Sequence, residues 1–81
     1  MNAGEAGDAL PELPAGVWRH WKGGDYLLLG LGHDADVEGR TVVVYVPLYD
    51  VAGPRLAVRS VEQWCAEVRP GVPRFRYVGP A

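Results

Sequence analysis

The stretch Trp18–Tyr26 (WRHWKGGDY) combines three aromatic residues, three cationic or titratable residues and a Gly-Gly pair. Val17–Trp21 alternates in the manner of a short strand, and Lys22–Asp25 (KGGD) supplies the permissive backbone that a hairpin turn needs. Tyr26–His33 then continues as a second strand. The stretch therefore predicts a β-hairpin at the start of a domain built mainly from strands.

The two strands that follow this turn are the most apolar part of the chain. The leucine run in Tyr26–His33 (YLLLGLGH) predicts burial on both sides, and Gly30 and Gly32 predict a bend or bulge within it. Thr41–Tyr49 (TVVVYVPLY) is the strongest strand because it is rich in β-branched and aromatic residues. Pro47 cannot donate to a ladder, so the end of this strand should lie at an edge or a break.

The C-terminal third contains the one convincing helix between two short strands, Arg55–Arg59 and Arg74–Val78. Ser60 is a good N-cap, and Gln63 three residues later completes a capping-box pattern. An apolar stripe follows at positions i, i+3, i+4 and i+7, formed by Val61, Trp64, Cys65 and Val68. The helix should pack this stripe against the sheet.

These elements predict a mainly β fold, a small SH3-like barrel of about five strands with one short helix at one end. The barrel should form a single domain over residues 16–79, and residues 1–15 should be a disordered lead-in because they are small, acidic and rich in Gly and Pro. A chain of 81 residues needs most of its aromatic rings inside. The expected core is Trp18, Tyr45, Trp64 and Phe75.

Composition excludes several classes of protein. The single cysteine, Cys65, rules out an intrachain disulfide and a multi-cysteine zinc site. The chain contains no apolar run of membrane-spanning length and no recognisable signal peptide, so a cytoplasmic location is expected. The net charge of −2 gives no bulk attraction to nucleic acid, although residues 55–81 hold five Arg against two Glu.

The order of motifs resembles a known bacterial family. It opens with GVWRHWKGGDY at Gly16–Tyr26 and closes with PRFRY at Pro73–Tyr77. This pattern resembles the family of small, mostly single-domain proteins called domain of unknown function 1653. Trp18 stands where a tyrosine is more common in that family, and Trp64 where a phenylalanine is. The resemblance supports the fold and the location of a site, and it implies no activity.

The arginines near the C-terminus are the sharpest candidates for a binding site. Arg59 directly precedes the helix N-cap, and Arg74 and Arg76 should share one face of the last strand. If His20 or Lys22 lies opposite, a cationic groove with an aromatic floor results, suited to a phosphate, a carboxylate or a stacked base. The predicted ligand-binding residues are His20, Lys22, Tyr26, Arg59 and Arg74. The alternative is that the arginines simply pair with Asp25, Asp50, Glu62 and Glu67.

Catalytic and metal chemistry have weaker support. His20 and His33 lack a metal-ligand spacing motif, and Cys65 lies on the apolar stripe, where a thiol is an inert hydrophobe. The chain shows no Ser–His–Asp order, phosphate loop or paired-carboxylate motif, so we expect neither enzymatic activity nor a cofactor. Glu38 is the nearest match to a family carboxylate after His33.

The function predicted from the sequence is therefore a small cytoplasmic module that binds an anionic or planar ligand or partner. It should be a monomer or a weak homo-oligomer. One alternative is single-stranded nucleic-acid binding on the same face. Another is an assembly role through an exposed edge strand, for which Pro47 and the short last strand are suggestive. A small enzyme or metal site that uses His20 and His33 is the third.

Overall fold

The computed structural model describes residues 11–81. Within them the chain forms seven strands and one short helix, whose bounds are as follows. The elements are β1 (Gly16–His20), β2 (Asp25–His33), β3 (Thr41–Pro47), β4 (Ala57–Ser60), α1 (Val61–Cys65), β5 (Glu67–Arg69), β6 (Val72–Pro73) and β7 (Phe75–Gly79). The prediction of a mainly β chain with one short helix is confirmed for the described residues.

Five of the strands form one antiparallel sheet in the order β4-β3-β2-β1-β7, and β5 and β6 pair separately. The sheet is open, with β4 and β7 at its edges, so the predicted closed barrel is corrected and the SH3-like arrangement is not confirmed. Side chains rather than backbone hydrogen bonds span the gap between the edges. The Arg59 guanidinium of β4 lies 5.5 Å from the ring centroid of Phe75 in β7.

The first hairpin forms where the sequence predicts it. The N–H of Gly23 donates to the carbonyl of His20 at 2.7 Å, and the N–H of His20 donates to the carbonyl of Gly24 at 2.7 Å. Gly23 has a φ of 108°, a conformation that L side chains rarely adopt. The Gly-Gly pair therefore closes the turn that brings β1 and β2 together.

The leucine run of β2 is not buried on both sides. Leu28 is 1% exposed, but Leu29 and Leu31 are 49% and 44% exposed. The register between β2 and β3 shifts between Leu28 and Gly30, so the predicted bulge is confirmed and Leu29 is its additional residue. The expectation of two-sided burial is wrong because an open sheet leaves these positions uncovered.

The helix is shorter than the sequence pattern predicts. Ser60 Oγ accepts the N–H of Gln63 at 3.1 Å, which confirms the N-cap. The helix ends at Cys65 because Ala66 adopts an extended conformation, with φ −72° and ψ 150°, that leads into β5. Val68 therefore lies in β5, and Cys65 is exposed rather than part of an apolar stripe. The flanking strands are also displaced from their predicted bounds and begin at Ala57 and Phe75.

The predicted core is confirmed. Trp18, Tyr45, Trp64 and Phe75 are all buried. The rings of Trp64 and Phe75 stack with centroids 3.7 Å apart and an interplanar angle of 7°, and Trp18 meets Trp64 edge-on at 5.6 Å. Aromatic burial on this scale supplies much of the apolar area that a small domain removes from water.

The chain before β1 also contacts the core. Leu13 packs against the buried cluster, and the carbonyl of Pro14 accepts a hydrogen bond from Trp18 Nε1 at 3.0 Å. Residues 1–10 of the predicted lead-in lie outside the described residues, so the division at residue 15 stays a prediction. Within residues 11–81, no helix has the length and apolar character to cross a membrane.

The burial of Trp64 predicts a large cost for its removal. Trp64→Ala should lower the free energy of unfolding by about 3–5 kcal/mol, because it deletes a stacked ring and leaves a cavity. Trp21→Ala is the matched control, since Trp21 is 42% exposed; it should cost about 1 kcal/mol or less. Urea denaturation measures both variants, and equal costs would contradict the assignment of Trp64 to the core.

Candidate functional site

Three of the five predicted binding residues, His20, Tyr26 and Arg59, lie against the ring of Phe75 at one end of the aromatic core. Arg74 directly precedes Phe75, and the ammonium of Lys22 lies over the ring of Trp21. His20 ends β1 and pairs with Phe75 of β7, so its ring stands 5.0 Å from that of Phe75. Arg59 reaches the same ring from β4. Strand alternation places His20 on the same face as Trp18, which turns the imidazole toward the core side of the sheet. Together, His20, Lys22, Tyr26, Arg59 and Arg74 are called the His20 face below.

Tyr26 forms an aromatic wall of this face. Its ring lies 6.2 Å from that of His20 and 5.6 Å from that of Phe75, and its hydroxyl hydrogen-bonds the hydroxyl of Tyr49. Burial, followed by the hydrogen bond with Tyr49, raises the pKa of Tyr26 to about 12. Tyr26 is therefore a neutral phenol at physiological pH and contributes a ring and a hydroxyl, not a charge.

His20 is held as a neutral imidazole among three cations. The backbone N–H of Lys22 donates to His20 Nδ1 at 3.2 Å, so the proton of the neutral ring lies on Nε2. Partial burial lowers the pKa of His20 below its usual value, and the positive charges of Arg59, Arg74 and Lys22 lower it further. The contacts of His20 and Arg59 with the ring of Phe75 bring these two side chains together, which the sequence could not establish.

Both arginines of the face are anchored through one nitrogen. Arg59 Nε donates to the Tyr45 hydroxyl at 3.3 Å, and Arg74 Nε donates to the carbonyl of Gln63 at 3.0 Å. Within residues 11–81, neither guanidinium forms an ion pair, and their Nη atoms make no hydrogen bond. A guanidinium carries five N–H donors, so the Nη N–H groups of each arginine remain available to another partner.

The alternative in which the arginines simply pair with carboxylates does not hold for this face. Asp25 binds Arg19, with Nε and Oδ1 2.7 Å apart. The other ion pair among residues 11–81 joins Arg40 and Asp34. The predicted pairing of Arg59 and Arg74 with nearby carboxylates is therefore absent from the described part of the chain.

Arg74 lies outside the strand in which the sequence predicted it. It does not share a strand face with Arg76, because β7 begins at Phe75 and Arg74 lies in the bend before it. Two backbone hydrogen bonds of 2.9 Å hold the bend: Arg74 donates to the carbonyl of Ala66 and accepts from the N–H of Trp21. Arg76 instead pairs with Arg19 in the sheet.

The residues considered for metal or catalytic chemistry lie elsewhere. His33 is at the far end of β2 from His20, and residues 11–81 contain no group of three or more His, Cys, Asp or Glu arranged to hold a metal. Glu38 and Cys65 line a separate groove of about 610 Å³. Although Cys65 is exposed, partial desolvation of its thiol raises the pKa of this group, which keeps it protonated. Sequence reasoning missed this groove because loop and helix residues without a shared motif line it.

Residues 11–81 thus form a small, mainly β domain with an open sheet and a cationic face beside an aromatic core. The chain belongs to the family described as protein of unknown function (DUF1653), whose model matches residues 16–77. The crystal structure of a DUF1653 protein from Bordetella bronchiseptica is similar, with a TM-score of 0.78 and 42% sequence identity over 90% of this chain and 96% of that one. The family resemblance seen in the sequence is thereby confirmed. No curated protein matches the chain.

The charges around His20 predict how its pKa responds to substitution. Arg59→Gln and Arg74→Gln should each raise the pKa of His20, because each removes a positive charge that opposes protonation of the imidazole. Arg40→Gln is a matched control, since Arg40 is paired with Asp34 and is not among the charges that act on His20. NMR titration of the imidazole measures the shift. If the pKa of His20 were the same in the Arg59→Gln and Arg74→Gln variants as in the unmodified protein, this geometry would be contradicted.

Proposed function

We propose that this protein is a binding module that holds an anionic ligand with a flat body on the His20 face and performs no chemistry on it. The proposal rests on how the side chains of two arginines are hydrogen-bonded. Arg59 and Arg74 are each anchored through Nε, and their Nη donors are unused within residues 11–81. Anchored side chains lose less conformational freedom on binding, which favours affinity.

The charge of the face supports an anionic ligand. The pKa of the neutral His20 imidazole is lowered by the positive charges of Lys22, Arg59 and Arg74. None of these three cations has an ion-pair partner within residues 11–81. Guanidinium groups bind phosphate and carboxylate oxygens through paired N–H donors. The Nε2–H of His20 adds a neutral donor beside them. A phosphate or carboxylate on this face would therefore meet donors from three side chains.

The aromatic side chains support a flat body on that ligand. Tyr26 is only partly buried and stands at the centre of a ring cluster that includes Tyr45 and Phe75. Its rigid position and neutral hydroxyl suit stacking against a planar group. Arg59 is already held near an aromatic ring, so a planar guanidinium and a phenol ring border the same surface.

The composition of the face favours binding over catalysis. Its five residues include no nucleophilic thiol, aliphatic hydroxyl or carboxylate. The thiol of Cys65 lies outside the face, in the groove that Cys65 lines together with Glu38. The raised pKa of the Tyr26 hydroxyl keeps it protonated near neutral pH, so it is not available as a general base. The proposal retains the cytoplasmic location that the sequence predicts.

A ligand titration tests the proposal directly. We expect adenosine monophosphate at low salt to shift the backbone amide signals of His20, Lys22, Arg59 and Arg74, with smaller effects from inorganic phosphate and from adenosine. Arg59→Gln and Arg74→Gln should each weaken binding by about tenfold or more, because each removes charged hydrogen-bond donors. Arg69→Gln removes the same charge from β5, outside the face, and should leave affinity unchanged.

The outcomes separate the possible ligands. If the double variant of Arg59 and Arg74 keeps every interaction while the fold survives, the proposal is wrong. Tight binding of a single-stranded oligonucleotide with a steep dependence on salt would instead support nucleic-acid recognition on the same face. No shift with any of these probes would contradict anion binding and favour a protein partner.

His20 makes anion binding depend on pH. The negative charge of a bound sulfate should raise the pKa of His20, so binding takes up a proton and affinity should increase as pH falls from about 7.5 to 5.5. Sulfate keeps its charge over this range, which leaves the imidazole as the titrating group. Calorimetry in two buffers measures the proton uptake. His20→Gln should remove the pH dependence, and an unchanged dependence in that variant would refute the role of His20.

Assembly through an edge strand is a second candidate function. The open sheet leaves β4 at an edge, and Val58 in that strand is 64% exposed. An exposed apolar edge can pair with another chain. Sedimentation at increasing concentration tests this candidate: Val58→Lys should abolish any dimer, and a monomer at millimolar concentration would exclude self-assembly.

A further inference from the structure

A second cation–aromatic site lies beside the first hairpin, on the other side of β1 from His20. A cleft of about 240 Å³ is lined by Arg19, Trp21, Gly71, Val72, Pro73 and Arg76, which we call the Trp21 cleft. Arg19 precedes His20 in β1, and successive strand residues point to opposite faces of a sheet. The arginines of the cleft therefore lie on the opposite face of the sheet from His20, whereas the Trp21 ring borders both surfaces, 6.1 Å from the ring of His20.

The charges of the Trp21 cleft are not balanced. Arg19 and Arg76 are direct register partners in the pairing of β1 with β7. The carboxylate of Asp25 accepts two hydrogen bonds from the guanidinium of Arg19, of 2.7 Å and 3.2 Å. The side chain of Arg76 makes no hydrogen bond or ion pair within residues 11–81. Arg76 also helps to lower the pKa of Asp25, so two arginines share one carboxylate and the cleft keeps a net positive charge.

The aromatic side of the cleft is accessible and firmly placed. Trp21 is 42% exposed, whereas the other two tryptophans of the chain are buried. Its backbone N–H donates to the carbonyl of Arg74, next to Pro73 of β6. The ammonium group of Lys22 lies 5.4 Å from the centroid of the indole ring and adds positive charge beside the cleft. An exposed indole thus stands next to an unpaired guanidinium.

We propose that the Trp21 cleft binds a small anion in which a carboxylate or phosphate group is attached to a single flat ring. The anionic oxygens pair with Arg76, and the ring packs against the indole of Trp21 and against Pro73. The volume is below the usual range of sites for whole cofactors, so it suits one ring rather than a larger ligand. This inference does not depend on the function proposed for the His20 face.

The test uses the intact protein and two ring-bearing anions, phenyl phosphate and benzoate, which distinguish phosphate from carboxylate recognition. The indole Nε1–H signal of Trp21 reports occupancy by NMR. We expect at least one of the two anions to shift this signal and to bind at least tenfold more tightly than inorganic phosphate, acetate or benzyl alcohol. Inorganic phosphate and acetate lack the ring, and benzyl alcohol lacks the charge. Equal binding of charged and neutral probes, or no shift of the Trp21 signal, would overturn the proposal.

Matched variants assign the effect to the cleft. Arg76→Gln should weaken the ring-bearing anion by about tenfold or more, and Arg76→Lys should restore part of that loss, because it keeps the charge without the paired donors. Arg59→Gln removes the same charge from the His20 face and should leave the affinity measured at the Trp21 signal unchanged. The reverse result, with Arg59→Gln weakening binding and Arg76→Gln having no effect, would place the anion on the His20 face and refute the Trp21 cleft. Thermal unfolding of each variant confirms that the fold is retained.

Discussion

The stacked pair of Trp64 and Phe75 is the contact on which the rest of this structure depends. It joins the only helix of the described residues to β7, an edge of the sheet, with the ring centroids 3.7 Å apart. A helix of five residues is not stable by itself and depends on tertiary contacts, of which this stack has the shortest distance between aromatic rings. Phe75 also supports the His20 face, since the imidazole of His20 and the guanidinium of Arg59 both lie against its ring.

An aromatic core that reaches the surface at one end explains why the cations gather there. Arg59 bridges the gap between the two sheet edges with a side chain, where a closed barrel would place backbone hydrogen bonds. The resulting surface is apolar beneath and positively charged above, and a neutral His20 limits the repulsion between the cations. The hydrogen-bond donors of Arg59 and Arg74 that stay unused within residues 11–81 are the physical reason for proposing that this face binds a ligand.

Much of the fold could be predicted from local patterns. The hairpin turn at Gly23, the bulge near Gly30 and the N-cap at Ser60 each depend on a few adjacent residues, and all three form as expected. The errors came from features that need a partner in space. The leucines of β2 were expected to be buried on both sides, and the helix was expected to extend to Val68; the open sheet and the extended backbone after Cys65 decide otherwise.

The candidate site also combines features that depend on residue type with features that depend on contacts between distant residues. Which side chains can bind an anion or stack on a ring follows from the residue types alone, because charge and aromaticity belong to the residue. That His20 and Arg59 meet at one ring, and that Arg74 and Arg76 lie on different surfaces, follows from the folded arrangement. Those outcomes depend on the register of β1 with β7 and on where β7 begins, and register is set by packing between residues far apart in the chain.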